Sequence, residues 1–141
     1  MIRTFALVFG IIYVLVGVLG FIPGLNQHHA DMPAIAVDSF YGRLLGLFPV
    51  NILHNVVHLI IGAWGILSSR SVDASRLFGK ALAIIYGLLA VLGLISATNT
   101  MFGLVPIFGH DVWLHALSAL VAAYFGFVAR EGDGAPSTSR I

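Results

Sequence analysis

Apolar residues run almost unbroken through four stretches of the chain, 5–22, 50–67, 77–97 and 107–129, separated by short segments richer in glycine, proline and charge. A helix that crosses a hydrocarbon core of ~30 Å takes about 20 residues, so each run predicts one membrane-spanning helix. The second and fourth runs are broken near their starts, by Asn51, His54, Asn55 and His58 and by Asp111 and His115. The first four are spaced i, i+3, i+4, i+7 and share one helical face, which continues as Gly62 and Gly65. The matching face of the fourth helix carries Asp111, His115, Ser118, Ala122 and Gly126. Helix one offers Gly10, Tyr13, Gly17 and Gly20, and helix three Ala83, Tyr86, Ala90 and Gly93. Small residues let membrane helices approach closely, and polar ones are tolerated where they meet inside a bundle. The predicted fold is therefore all-α, a four-helix transmembrane bundle with these faces turned inward.

The pattern repeats. Residues 11–22 (IIYVLVGVLGFI) match 84–95 (IIYGLLAVLGLI) at an offset of 73. Residues 46–50 (GLFPV) match 103–107 (GLVPI) at an offset of 57, which also carries His58 onto His115 and His54 onto Asp111. Two tandem helical hairpins, about 5–67 and 77–129, are expected, related by a pseudo-two-fold axis along the membrane normal. Pro49 and Pro106 sit where a first helical residue is expected, a position that needs no backbone N–H. His58 and His115 then lie on the order of 12–14 Å below those helix starts, at about 1.5 Å per residue. Residues 39–48, apolar with the single charge of Arg43, read as a short interfacial or re-entrant helix. Residues 1–130 form the membrane domain, and 131–141, rich in Gly, Ser and Thr, read as a disordered tail.

Composition supports lipid as the solvent. The 141 residues are 59% apolar and 9% charged, where a soluble domain is about a quarter charged. Mean hydropathy is +1.00. Six of the seven basic residues, Arg3, Arg70, Arg76, Lys80, Arg130 and Arg140, flank the same side, which predicts both termini in the cytoplasm. A cleavable leader is not expected, because Phe21-Ile22-Pro23-Gly24 lacks a small-x-small site. The absence of cysteine removes disulfides, thiolate ligands and thiol nucleophiles. A net charge of +1 without a basic cluster argues against nucleic acid. Apolar helix surface faces lipid here and gives no sign of a homo-oligomer.

Three readings of the polar stripe compete with a purely structural hydrogen-bonded network among Asn51, His54, Asn55, His58, Asp111, His115, Tyr13 and Tyr86. His54, His58, Asp111 and His115 offer three imidazoles and a carboxylate, a set able to hold zinc or another divalent metal. His58 and His115 could instead be axial ligands to a haem between the helices. Ionisable groups inside a membrane also suit a proton or small-solute path. The structural or binding role leads, and the cofactor is left unspecified. No nucleophile–base pair is visible: Ser118, one turn past His115, is expected to bond a backbone carbonyl. His28, His29 and Asp31 read as solvated loop residues, and Trp64 and Trp113 as interfacial anchors.

The segment 47–59 (LFPVNILHNVVHL) together with 111–115 (DVWLH), and the opening pattern of Phe9-Gly10-Ile11-Ile12-Tyr13 and Gly17-Val18-Leu19-Gly20, resembles a bacterial membrane-protein family catalogued as domain of unknown function 4383. The resemblance runs from Phe5 to about Phe127. It implies a small four-span protein of the bacterial inner membrane and brings no activity with it. Val112 stands where the family pattern suggests a polar residue such as asparagine.

Overall fold

The computed structural model describes residues 1–130; the expected tail at 131–141 lies outside the described residues. Four helices dominate: α1 (Ile2–Leu19), α2 (Ile52–Ser68), α3 (Val72–Leu94) and α4 (His110–Ala123), the last extended by a π-helical turn, Tyr124–Val128. Helices α1, α3 and the continuous 110–128 segment are long and apolar enough to cross a membrane, consistent with a membrane protein. Helix α2, at 17 residues, is slightly shorter and equally apolar. Helix α1 packs chiefly on α2, and α3 chiefly on α4.

Glycine sets these contacts. A Cβ on Gly10 would lie 2.6 Å from the Ile66 backbone nitrogen and 2.8 Å from the Gly62 carbonyl, so α1 and α2 touch backbone to backbone. Gly79 and Gly126 do the same for α3 and the π-turn, where a Cβ on Gly126 would lie 2.6 Å from the Lys80 nitrogen. Such close approach gives dispersion and packing their reach where water is not present to drive association. The inward faces are those the 3.6-residue period predicts. Gly10, Tyr13 and Gly17 are buried on α1, His54, Asn55, His58, Gly62 and Gly65 on α2, Tyr86, Ala90 and Gly93 on α3, and Asp111, His115 and Ala122 on α4.

One end of the bundle is aromatic. Phe5 stacks on Phe125 with ring centroids 4.6 Å apart, and Trp64 meets Phe78 edge-on at 5.1 Å. Trp64 is thus half-buried on this core, while Trp113 is exposed and donates from Nε1 to His110 Nδ1. The stacking of Phe5 on Phe125 puts the first turn of α1 and the π-turn that follows α4 at the same end. Arg3 Nε also donates to the Ser69 carbonyl there, joining the start of α1 to the α2–α3 turn. Helix α3 begins five residues earlier than the apolar run suggests, because Ser71 caps it by accepting from the Ala74 N–H.

The opposite end is roofed by loops and differs from expectation in two ways. Residues 39–48 do not form a helix. Residues 42–44 and 48 of this stretch instead enter a three-stranded antiparallel sheet, β1 (Asn26–Gln27), β2 (Gly42–Leu44) and β3 (Phe48–Val50), in the order β1-β2-β3. Leu44 pairs with Phe48 across a turn in which Leu45 and Gly46 both have positive φ, 53° and 73°. Two consecutive left-handed residues cannot continue a right-handed helix. Pro49 is tolerated because β3 is an edge strand.

Nor do Pro49 and Pro106 start helices. Helix α2 starts at Ile52 with Asn51 as its cap, and α4 starts at His110 after Gly109, whose φ is +64°. Three polar residues of the loops also pair. Asp31 accepts two hydrogen bonds from Arg43, at 2.8 and 3.2 Å, and is not merely solvated. Asn26 Nδ2 donates to the Phe40 carbonyl.

Candidate functional site

Asn51 anchors the site. Its Oδ1 accepts from the His54 N–H at 2.9 Å, capping α2, and its Nδ2 donates to the Val37 and Leu104 carbonyls at 2.8 and 2.7 Å. One buried side chain thus fixes the helix start and ties the two loops above it together. The expectation that Asn51 lies on the helical stripe is corrected accordingly: it stands one residue before the helix.

One turn below, His54 Nδ1 lies 3.1 Å from the Pro49 carbonyl, which accepts its proton and orients the ring. Asp111 enters from the first turn of α4, where the positive end of the helix dipole favours a carboxylate. Its Oδ2 is 3.8 Å from His54 Nδ1, too long for a hydrogen bond. His115 sits one turn further along the same face of α4. His54, Asp111 and His115 each bring one ligand-type atom within 4.8 Å of the others, and all three are buried. Among the described residues, no other group of histidines and carboxylates converges this way. The loop histidines lie elsewhere, with His28 packed edge-on against Tyr41.

His58 stands outside that triad but against it. Its ring centroid is 4.5 Å from that of His54 and 5.6 Å from that of Tyr13. Tyr13 and Tyr86 meet at 5.5 Å across the middle of the bundle, and Tyr86 lies edge-on to His115 at 5.0 Å. With α2 starting at Ile52, His58 lies about 9 Å below the helix start, at 1.5 Å per residue, shallower than a start at Pro49 would give. The Ser118 side chain interacts with that of Tyr13. Its position one turn after His115 on the inward face was the available signal.

Several buried polar atoms make no hydrogen bond: Asp111 Oδ2, His115 Nδ1, His58 Nδ1 and both side-chain ends of Asn55. Buried polar atoms are nearly always bonded, so a concentration of bare ones marks a place built for something else. Asn55 is pressed against Gly20, where a Cβ would lie 2.0 Å from Asn55 Oδ1. On α3, a Cβ on Gly93 would lie 3.0 Å from a Val112 methyl, so the apolar Val112 packs against this glycine.

In the loops, the hydrogen-bonded Arg43 guanidinium holds the Asp31 carboxyl below the usual carboxylate range. Burial pushes the Tyr41 hydroxyl up, and that hydroxyl donates to the Pro33 carbonyl at 2.7 Å.

A cavity of about 410 Å³ opens beside the polar centre, between α1 and α4 and beneath the β2–β3 hairpin. Tyr13, His58, Tyr86, Asp111 and His115 form its inner wall. Nothing in the sequence pattern distinguishes the α1–α4 gap from any other helix pair, so this feature was not foreseen.

No curated protein and no solved structure matches the chain. The sequence profile of one family covers residues 3–128, nearly everything described above, and the chain therefore belongs to the family described as Domain of unknown function (DUF4383).

Proposed function

We propose that this is a membrane-embedded binding protein whose polar centre holds a divalent transition metal through His54, Asp111 and His115. The observation that carries the reading is the convergence of two imidazoles and one carboxylate within 4.8 Å, buried, with Asp111 Oδ2 and His115 Nδ1 making no hydrogen bond. A purely structural network would use those atoms to lock the helices together; here they are left bare. Two nitrogens and one oxygen suit Zn²⁺ or a neighbouring first-row ion and leave a coordination position open. The His54 Nδ1 to Pro49 carbonyl bond is the kind of outer contact that fixes a ligating imidazole. His58 becomes a neighbour of the metal in this reading and not a ligand. Haem between His58 and His115 is disfavoured, because the His54 ring and the Tyr13–Tyr86 pair occupy the space around them.

The setting belongs to the same proposal. All four helices span a bacterial inner membrane with both termini in the cytoplasm, as the flanking basic residues indicate. The two hairpins are tandem copies about a pseudo-two-fold axis. Support comes from the pairing of α1 with α2 and α3 with α4, and from the similar Tyr13–His58 and Tyr86–His115 spacings of 5.6 and 5.0 Å.

The test is the metal content of the full chain purified in detergent and dialysed without chelator. One zinc, iron or manganese per chain is expected, lost in Asp111→Ala and His115→Ala but kept when His28 and His29 are both replaced by alanine. Metal that survives in the Asp111 and His115 variants, or a Soret band that depends on His58 and His115, contradicts the assignment.

A further inference from the structure

The cavity beside the polar centre is built like a socket with two ends. Its mouth is aliphatic, with Ile12 and Val16 from α1, Leu117 and Val121 from α4, and Leu45 overhead from the hairpin. Ile12, Leu45 and Leu117 are half-exposed or more, so the mouth opens sideways from the bundle onto the surface that faces lipid. Its inner wall carries hydrogen-bonding groups, and two of these side chains, His58 and His115, are more than nine-tenths buried with their Nδ1 atoms unpartnered. No lysine or arginine lines it.

From this juxtaposition we propose that the cavity binds an uncharged single-chain amphiphile from the bilayer, its hydroxyl or carbonyl head against His58 and Tyr86 and its tail leaving between α1 and α4. The chemistry selects the class. Without a cation in the lining, a phosphate or sulfate head would enter uncompensated, which is costly in an apolar setting. A bare hydrocarbon would leave the polar side chains of the inner wall, His58, Tyr86 and Ser118 among them, facing an apolar group, whereas a hydroxyl or carbonyl head offers them a hydrogen bond. At about 30 Å³ per water-sized group, 410 Å³ accommodates roughly fourteen such groups, a small head and a chain of around ten carbons. The volume is in the normal range for small-molecule sites, which run from about 300 to 1,000 Å³. Entry from the lipid phase needs no opening of the loop roof. The inference does not require a metal at the neighbouring triad, although His115 and Asp111 face both sites.

The experiment is photo-crosslinking in vesicles of phosphatidylethanolamine and phosphatidylglycerol holding the full chain. Two probes are compared, a diazirine-bearing decanol and the corresponding diazirine-bearing alkane, with the adducts mapped by peptide mass spectrometry. The alcohol is expected to label residues at Val16, Leu117 and Val121 about tenfold more than the alkane does, a ratio equivalent to about 1.4 kcal/mol. Excess unlabelled decanol should compete it away. Leu117→Trp, a change at a lipid-facing position that leaves the core intact, should reduce labelling of Val16 and Val121 by filling the mouth. Labelling, and the preference for the alcohol, should be the same before and after the vesicles are treated with a divalent-metal chelator, so failure of the metal assignment and failure of this one are read separately. Equal labelling by alcohol and alkane, or adducts spread evenly over all exposed helix faces without competition, overturns the proposal.

Discussion

Replacing Asn51 with alanine removes three hydrogen bonds from one point, the cap to the His54 N–H and the links to the Val37 and Leu104 carbonyls. Loss of an asparagine cap costs about 1 kcal/mol. Each link to a partly buried loop carbonyl contributes a further ~1 kcal/mol, the typical net value of an intramolecular hydrogen bond. Asn51→Ala should therefore destabilise the fold by about 3 kcal/mol, a large fraction of the 5–15 kcal/mol that holds a typical domain. Asn51→Asp separates the contributions. The carboxylate still accepts from the His54 N–H, but it has no N–H to offer the two carbonyls, so about 2 kcal/mol of the loss should persist. Both variants can be unfolded with increasing dodecyl sulfate in mixed micelles, with helicity followed by far-ultraviolet circular dichroism. A stability within about 0.5 kcal/mol of wild type for Asn51→Ala, the range of an ordinary surface change, would refute the view that this residue fastens the roof to the bundle. Full recovery in Asn51→Asp would show that only the cap matters.

Other consequences can be checked in the same preparations. Gly10→Val should disrupt the α1–α2 contact, since its Cβ would meet backbone atoms at 2.6 and 2.8 Å that cannot give way; a loss of about 1–3 kcal/mol, as for an overpacked core, is expected in the same titration. Gly126→Val should do likewise for α3 and the π-turn, while Gly24→Ala, which meets nothing within 4 Å, should be silent. Because Arg43 lowers the Asp31 pKa in the folded state, the ion pair's contribution is present above the ordinary carboxylate value and is lost as pH falls through the depressed one. Thermal unfolding from pH 7 to pH 2 should show that acid-side loss in the wild type, reduced in Asp31→Asn. Metal content should fall in His115→Ala without loss of helicity, because His115 makes no hydrogen bond from Nδ1 to any part of the fold.

The helix faces were legible because burial in a bundle imposes a 3.6-residue period on which residues are small or polar. Tyr13, His58, Tyr86 and His115 could be assigned to one interior from spacing alone, and they do meet there. Helix starts were less legible. A proline before an apolar run is a sound helix-start signal, yet Asn51 two residues later is the actual cap. The β2–β3 hairpin was hidden by its composition, since Leu44, Leu45, Leu47 and Phe48 would be equally at home on an interfacial helix. Only the pairing of Leu45 with Gly46 in left-handed conformation decides the matter, and leucine is a poor advertisement for positive φ.

For the four candidate ligands of the sequence, His54, His58, Asp111 and His115, spacing within each helix gives two i, i+4 pairs but not their relative rotation. The structure turns His54 toward Asp111 and His115 and leaves His58 packed behind it, its ring tilted by 41°. The lateral cavity depends on the strong pairing of α1 with α2 and α3 with α4, which leaves α1 and α4 apart. Glycine contacts between helices produce that spacing, and their depth is set by three-dimensional packing.

X-ray absorption at the metal edge of the zinc-loaded full chain, compared with His115→Ala, is the most direct measurement. With His54, Asp111 and His115 as ligands, the first shell should contain nitrogen and oxygen at about 2.0–2.2 Å. Outer-shell scattering should count two imidazoles, falling to one in the variant. A shell of oxygen alone without imidazole scattering, or a spectrum unchanged by His115→Ala, would contradict a metal centre at the meeting point of α2 and α4.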